Sequence, residues 1–173
     1  MSTSSVFQPS PPWTNQPVRL YHGTTVAHAF AITTSGVRVS ASRPRIDFGQ
    51  GFYTTTVQRQ AQAWAWQLTD GRTAKPAVVY ADVDRDVLAR LDCLWFARGD
   101  FQAEDFWSFV VHCRTYGTDH ARPTAGKRRY DVVIGPVTAM WKQRTPMPDS
   151  DQISFHTPEA EAVLNTVEWR MLR

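Results

Sequence analysis

Apolar and polar residues alternate over short runs in this chain, and the period switches repeatedly between that of a strand and that of a helix. Val18 to His22 reads as a strand. Thr25 to Thr34 reads as a short helix, with Ala29 and Ile32 on one face and Gly36 as its stop. Val37 and Val39 alternate with Arg38 and Ser40, which predicts a brief extended stretch. SRPRIDFGQG (42–51) is a loop by its Pro and Gly content. Phe52 to Thr55 is strand-like, and Gln58 to Leu68 is strongly helical, with Gly71 ending it.

Pro76 introduces AVVYADV, an alternating β-branched run that predicts a central strand. Asp84 can cap DVLARL, and the apolar run CLWF (93–96) follows. Glu104 to Tyr116 spreads aromatics and valines as a well-buried helix does, with Trp107, Phe109 and Val110 as core. Asp131 to Val137 reads as a core strand ended by Gly-Pro, and Gln152 to His156 as a short strand. Thr157-Pro158-Glu159 opens a last helix with Pro at its first position, and TVEWRML (166–172) adds an edge strand. Residues 1–17, rich in Ser, Pro and polar side chains, read as a flexible arm with Trp13 as its tether; residues 18–173 read as one domain. The expected class is α+β: small twisted sheets with peripheral helices.

Composition narrows this picture. At 173 residues with 42 % apolar content the chain can bury a proper core. No apolar stretch approaches the roughly 20 residues a membrane span needs. MSTSSVFQPSPPW lacks the basic and apolar regions of a secretory signal, so a cytoplasmic location is expected, in the producer or in a target cell if the protein is delivered there. Cys93 and Cys113 cannot make a disulfide framework, match no zinc spacing and are expected to be buried and inert, so no metal is expected. The net charge of +3 is mild, but Arg114, Arg122, Lys127, Arg128 and Arg129 fall close together with His112 and His120. That cluster is either a solvated loop or a landing patch for a pyrophosphate or a nucleic acid.

Two motifs carry candidate chemistry, LYHGTT (20–25) and DFGQGFYTT (47–55). His22 ends an apolar run and Gly23 follows it, setting an imidazole beside open backbone. Tyr53 follows Gly49 and Gly51, and Trp64 lies in the next helix, where it could face Tyr53. Breaking the bond between nicotinamide and ribose calls for such parts: aromatic faces and close backbone to clamp the ring, and rigid polar groups for the ribose.

These segments resemble the ADP-ribosyltransferase superfamily, specifically its His-Tyr-Glu branch of poly(ADP-ribose) polymerases and diphtheria-type toxins. They look closer still to an uncharacterised bacterial group with LYHGT…DFGxGFY…YDxVIGPV…QxxFHT, a likeness covering roughly residues 18–165. The resemblance implies a split pair of small antiparallel or mixed sheets and NAD as substrate. It implies that His22 bonds the adenosine ribose, that the Gly23 backbone holds the nicotinamide amide, and that Tyr53 packs on nicotinamide with Trp64 on the opposite face. Thr24, Asp47, Gly51 and Phe52 complete the implied NAD-binding set, and His22, Tyr53 and Gln152 the implied catalytic set.

The third motif departs from the family. Where the family has a glutamate opening a strand, this chain has Gln152, which can bond a ribose hydroxyl but carries no charge. Asp151, Asp149 and Glu104 are candidate substitute acids, with Asp151 disfavoured because it points to the opposite face; His156 could share the face of Gln152. The expectation is an NAD-dependent mono-ADP-ribosyltransferase of bacterial toxin, effector or defence type, acting on a protein or nucleic acid, with an antitoxin or immunity protein as a further partner and no membrane. The alternatives are an NAD glycohydrolase and a weakened NAD- or ADP-ribose-binding module.

Overall fold

A computed structural model of the chain describes residues 14–97, 102–117, 119–122, 126 and 128–172. In order, the elements are β1 (Val18–Thr25), α1 (Val26–Ser35), β2 (Phe52–Thr54), α2 (Gln58–Thr69), β3 (Pro76–Val83), α3 (Arg85–Leu88), β4 (Cys93–Trp95), α4 (Glu104–Thr115), β5 (Val132–Gly135), β6 (Thr138–Met140), β7 (Thr145–Pro146), β8 (Gln152–Phe155), α5 (Pro158–Leu164) and β9 (Arg170–Met171). The class is mixed α+β.

Two sheets carry the fold. The first has the antiparallel order β1-β3-β9, and the second the order β2-β8-β5-β4, parallel only between β4 and β5. A hairpin of β6 and β7 stands apart. β3 takes the centre of its sheet because both faces of its alternating run are covered. Val79, Ala81 and Val83 join Leu20 and Ala29 in the main core, while Val78 packs with Ala61 and Ala65 of α2. That main core also takes Phe52, Val132, Ile153 and Phe155, so it fills the space between the two sheets. The opposite face of the second sheet meets α4, where Val133 packs with Phe48, Phe106, Trp107 and Val110.

Local chemistry sets the helix starts. The Thr25 hydroxyl accepts from the His28 N–H, Asp84 accepts from the Asp86 N–H, and Thr157 accepts from the Ala160 N–H with Pro158 in the first turn. Among the described residues the two sheets share backbone hydrogen bonds at one place, a bridge in which Tyr21 and Thr55 exchange N–H···O contacts of 2.8 and 2.9 Å. Beyond that bridge β1 and β2 belong to different sheets, and a cavity opens there.

Several expectations need correction. Val39–Ala41 is a turn of 3-10 helix, not an extended run; Val37 and Val39 are both buried, and Glu161 Oε2 and Asn165 Oδ1 satisfy their N–H groups in place of a ladder. The β6–β7 hairpin was not legible, because its strands are three and two residues long. Cys93 is exposed on an edge strand, whereas Cys113 is buried as expected. The arm expected over 1–17 falls largely outside the described residues, as do Trp13 and Lys127. Of its described end, Asn15 donates to Asp86, and Arg85 donates to the Gln16 carbonyl. No helix among the described residues is long and apolar enough to cross a membrane.

Candidate functional site

A cavity of about 590 Å³ lies where the two sheets part. β1 contributes His22 and Gly23, the 46–51 loop contributes Asp47, β2 contributes Tyr53, α2 contributes Trp64, and β8 contributes Gln152. Six of the nine expected site residues therefore share one cavity. Thr24, Gly51 and Phe52 do not line it. Thr24 is buried, and Phe52 lies under His22 with ring centroids 4.4 Å apart. Gly51 packs so closely that a Cβ would come within 2.5 Å of His156 Nδ1 and the Phe155 carbonyl oxygen.

Strand alternation explains which residues meet. On the second sheet Tyr53 pairs with Ser154, two residues from Gln152, so Tyr53 and Gln152 share a face. On the first sheet Gly23 turns toward α2, where its missing side chain matters: a Cβ would overlap the Ala61 carbonyl oxygen. Glycine is thus required for α2 to lie against β1 and bring Trp64 to the cavity. Trp64 itself is 52 % exposed and lines the cavity.

His22 is half-buried, and its Nδ1–H donates to the Tyr53 carbonyl at 2.7 Å. Burial pushes its pKa down to about 4, so the ring is neutral at physiological pH. A carbonyl can only accept, so Nδ1 carries the hydrogen and Nε2 presents a lone pair. Nε2 has no protein partner among the described residues, which leaves it as an acceptor for a hydroxyl.

The Tyr53 hydroxyl is fully engaged. It accepts from the Phe48 N–H at 2.9 Å and donates to the Gly49 carbonyl at 2.7 Å. Burial and the nearby Asp47 carboxylate raise its pKa, which keeps it protonated. Its ring, not its hydroxyl, is therefore what it offers a ligand. Two neutral imidazoles hold the same loop: His120 Nε2–H donates to the Phe48 carbonyl, and His156 Nδ1–H donates to the Gln50 carbonyl. Burial lowers their pKa values to about 4 and about 3. His156 does not line the cavity; its Nε2 faces the Ser154 hydroxyl at 2.8 Å.

Gln152 is the first residue of β8 and nearly buried. Its Nε2 lies 3.0 Å from Asp47 Oδ2 and 2.9 Å from the Pro136 carbonyl oxygen. Both are acceptors, so only the NH2 end of the amide fits there, and Oε1 is left toward the cavity. Asp47, buried itself, also accepts from the Thr138 backbone N–H at 3.0 Å, the Thr138 hydroxyl at 2.6 Å and Arg114. Arg114, one of the basic cluster expected to be a solvated loop or a landing patch, instead bonds this buried carboxylate, because α4 packs behind the loop that carries Asp47.

The candidate substitute acids separate clearly. Asp151 is used up by Thr55 and Thr56, and Glu104 pairs with Arg144 on the surface. Asp149 lines the cavity, is exposed, and has no hydrogen-bond or ion-pair partner among the described residues. Sequence reading missed Arg59, Gln60 and Gln67, which line the cavity from α2. The signal was available: Gln60, Trp64 and Gln67 recur at the i, i+4, i+7 spacing of one helix face. Arg59 is exposed at the cavity and forms no ion pair among the described residues.

The basic segment spends much of its charge internally. Arg122 bonds Asp92 and the Arg129 carbonyl and stacks over Tyr130, Arg128 reaches Asp119, and His112 faces Asp119 at 2.7 Å. Among the described residues no group of His, Cys, Asp or Glu is arranged to hold a metal ion.

No match was found among curated proteins. A family model described as "Protein of unknown function (DUF3990)" matches residues 18–139, a span that contains every cavity element except the 147–152 segment with Gln152. On that match the chain belongs to the DUF3990 family.

Proposed function

We propose that the chain is an NAD-dependent mono-ADP-ribosyltransferase with an ADP-ribosyltransferase-like fold, acting on a protein or nucleic acid as a bacterial toxin, effector or defence enzyme. The observation that carries this reading is the convergence of His22, Gly23, Tyr53, Trp64 and Gln152 on one cavity of about 590 Å³. Each offers what a dinucleotide needs. The His22 lone pair accepts from a ribose hydroxyl, the Gly23 backbone is open to an amide, and the Tyr53 and Trp64 rings suit an aromatic base. Arg59, which forms no ion pair among the described residues, supplies a cation for a diphosphate.

In transfer, the bond from ribose to the nicotinamide nitrogen breaks with its electron pair leaving on nicotinamide. An acceptor oxygen or nitrogen bonds the sugar carbon and gives up its proton. The Gln152 oxygen is available to accept from a ribose hydroxyl, and Asp149, a cavity-lining carboxylate with no partner among the described residues, is available to take the acceptor's proton. The absence of a carboxylate at position 152 favours a second reading, an NAD- or ADP-ribose-binding module without turnover.

Incubation with labelled NAD and a cell lysate, followed by nuclease or protease treatment, tests the proposal. Nicotinamide release with label on a macromolecule supports it, and the treatment that removes the label identifies the acceptor class. Nicotinamide release with free ADP-ribose makes the protein an NAD glycohydrolase. No release, with NAD still raising the melting temperature, makes it a binding module.

A further inference from the structure

We propose that Asp47 is the positioning residue of the cavity: by accepting from Gln152 it fixes the amide with nitrogen inward and oxygen outward, so that position 152 requires a donor on its protein side and presents only an acceptor to the ligand. The ligand group recognised there is a hydrogen-bond donor. Calling it a ribose hydroxyl rests on the proposed function; the positioning role does not.

Three observations carry this. The two hydrogen-bond partners of Gln152 Nε2 among the described residues are both acceptors, Asp47 Oδ2 and the Pro136 carbonyl oxygen. Asp47 cannot turn away, because Arg114 and both the hydroxyl and the backbone N–H of Thr138 hold its two oxygens. Gln152 is 6 % exposed and Asp47 5 %, so water cannot stand in freely for a lost partner. An amide whose NH2 donates to a carboxylate is also polarised, which strengthens its oxygen as an acceptor.

A glutamate at position 152, the residue found there in the superfamily the chain resembles, does not suit these surroundings. Gln152→Glu would not install a working acid. It would set one carboxylate against another and against a carbonyl, with Arg114 the cation already engaged by Asp47. The other charged side chains lining the cavity, Asp149 and Arg59, are exposed at its wall.

The test compares wild type with Gln152→Glu, Asp47→Asn and the double variant, by thermal unfolding between pH 4.5 and 7.5 and by NAD titration. Gln152→Glu should be less stable than wild type at pH 7.5, and the gap should narrow toward pH 4.5 as the introduced carboxylate takes up a proton and can donate to Asp47. The double variant, which leaves one carboxylate facing an amide that can donate to it, should recover part of that loss at pH 7.5. This outcome remains readable even if Gln152→Glu alone does not fold there. Asp47→Asn should weaken NAD roughly tenfold, the scale of one lost hydrogen bond, because the amide is freed to turn. Wild-type stability in Gln152→Glu, a pH-independent gap, or a double variant no better than the single would each overturn the positioning role. If wild type itself does not bind NAD, the proposed function fails, and the stability cycle still decides the pairing.

Discussion

His22 gives its ring hydrogen to the carbonyl of Tyr53 across 2.7 Å, so that one side chain ties the first sheet to the second at the mouth of the cavity. The contact fixes the imidazole tautomer, and it also sets the spacing between the two motifs that line the cavity wall. It lies beside the Tyr21–Thr55 bridge, where the sheets meet backbone to backbone.

Tyr53 separates a structural hydroxyl from a ligand-facing ring. Tyr53→Phe should keep the ring in the cavity and lose the bonds to Phe48 and Gly49, costing about 1–3 kcal/mol in urea unfolding. NAD affinity should fall less than in Tyr53→Ala, which removes the ring as well. Equal affinity losses in the two variants would mean that the ring contributes nothing.

Gly23→Ala should be severely destabilising. The added methyl would meet the backbone oxygen of Ala61, which cannot rotate away, so α2 must lift from β1. A loss of at least about 2 kcal/mol is expected, with disordering of the Trp64 wall. Wild-type stability by denaturant titration would contradict the close approach of helix and strand.

Trp64→Ala should behave in the opposite way. Trp64 is half exposed, so its removal should change stability by less than about 1 kcal/mol. NAD affinity should drop roughly tenfold or more, as expected for loss of a stacking aromatic. An unchanged dissociation constant by fluorescence titration would remove Trp64 from the site.

Acid should weaken the fold well above the ordinary carboxylate range. Burial lowers the His120 and His156 pKa values to about 4 and about 3, below the usual 6.5. The unfolded chain therefore binds more protons below pH 6.5. Stability is fully present above that value and lost as pH falls toward 4 and then 3, at up to about 1.4 kcal/mol per pH unit for each ring. The Asp119 and Asp82 carboxylates, held low by His112 and Arg19, act only below about pH 3.8. Urea midpoints measured from pH 7.5 to 4.5 should hold above about pH 6.5 and fall below it; a flat profile throughout would place these rings outside the buried loop network.

Much of this fold was legible because its signals are local. The period-two run from Pro76 to Val83, the Thr157-Pro158 cap and the helix from Gln58 each matched the element formed, to within a residue or two. The two motif segments, the helix that follows them and the resemblance they carry were also enough to bring His22, Gly23, Tyr53 and Trp64 together in expectation. What remained hidden depends on long-range pairing. Arg114 meets Asp47 only because α4 packs behind the 46–51 loop, and no local pattern records that partner. The amide orientation of Gln152 follows from Pro136 and Asp47, sixteen and 105 positions away in the chain. Val37 and Val39 misled for the same reason, since their backbone partners sit in α5 and just after it.

Calorimetric titration of NAD into the wild-type protein and into His22→Ala tests the central claim most directly. Saturable binding at one site per chain is predicted, at least tenfold weaker in His22→Ala, with both proteins folded in the same buffer. No saturable heat in wild type, or equal affinity in the variant, would contradict the assignment of this cavity to NAD.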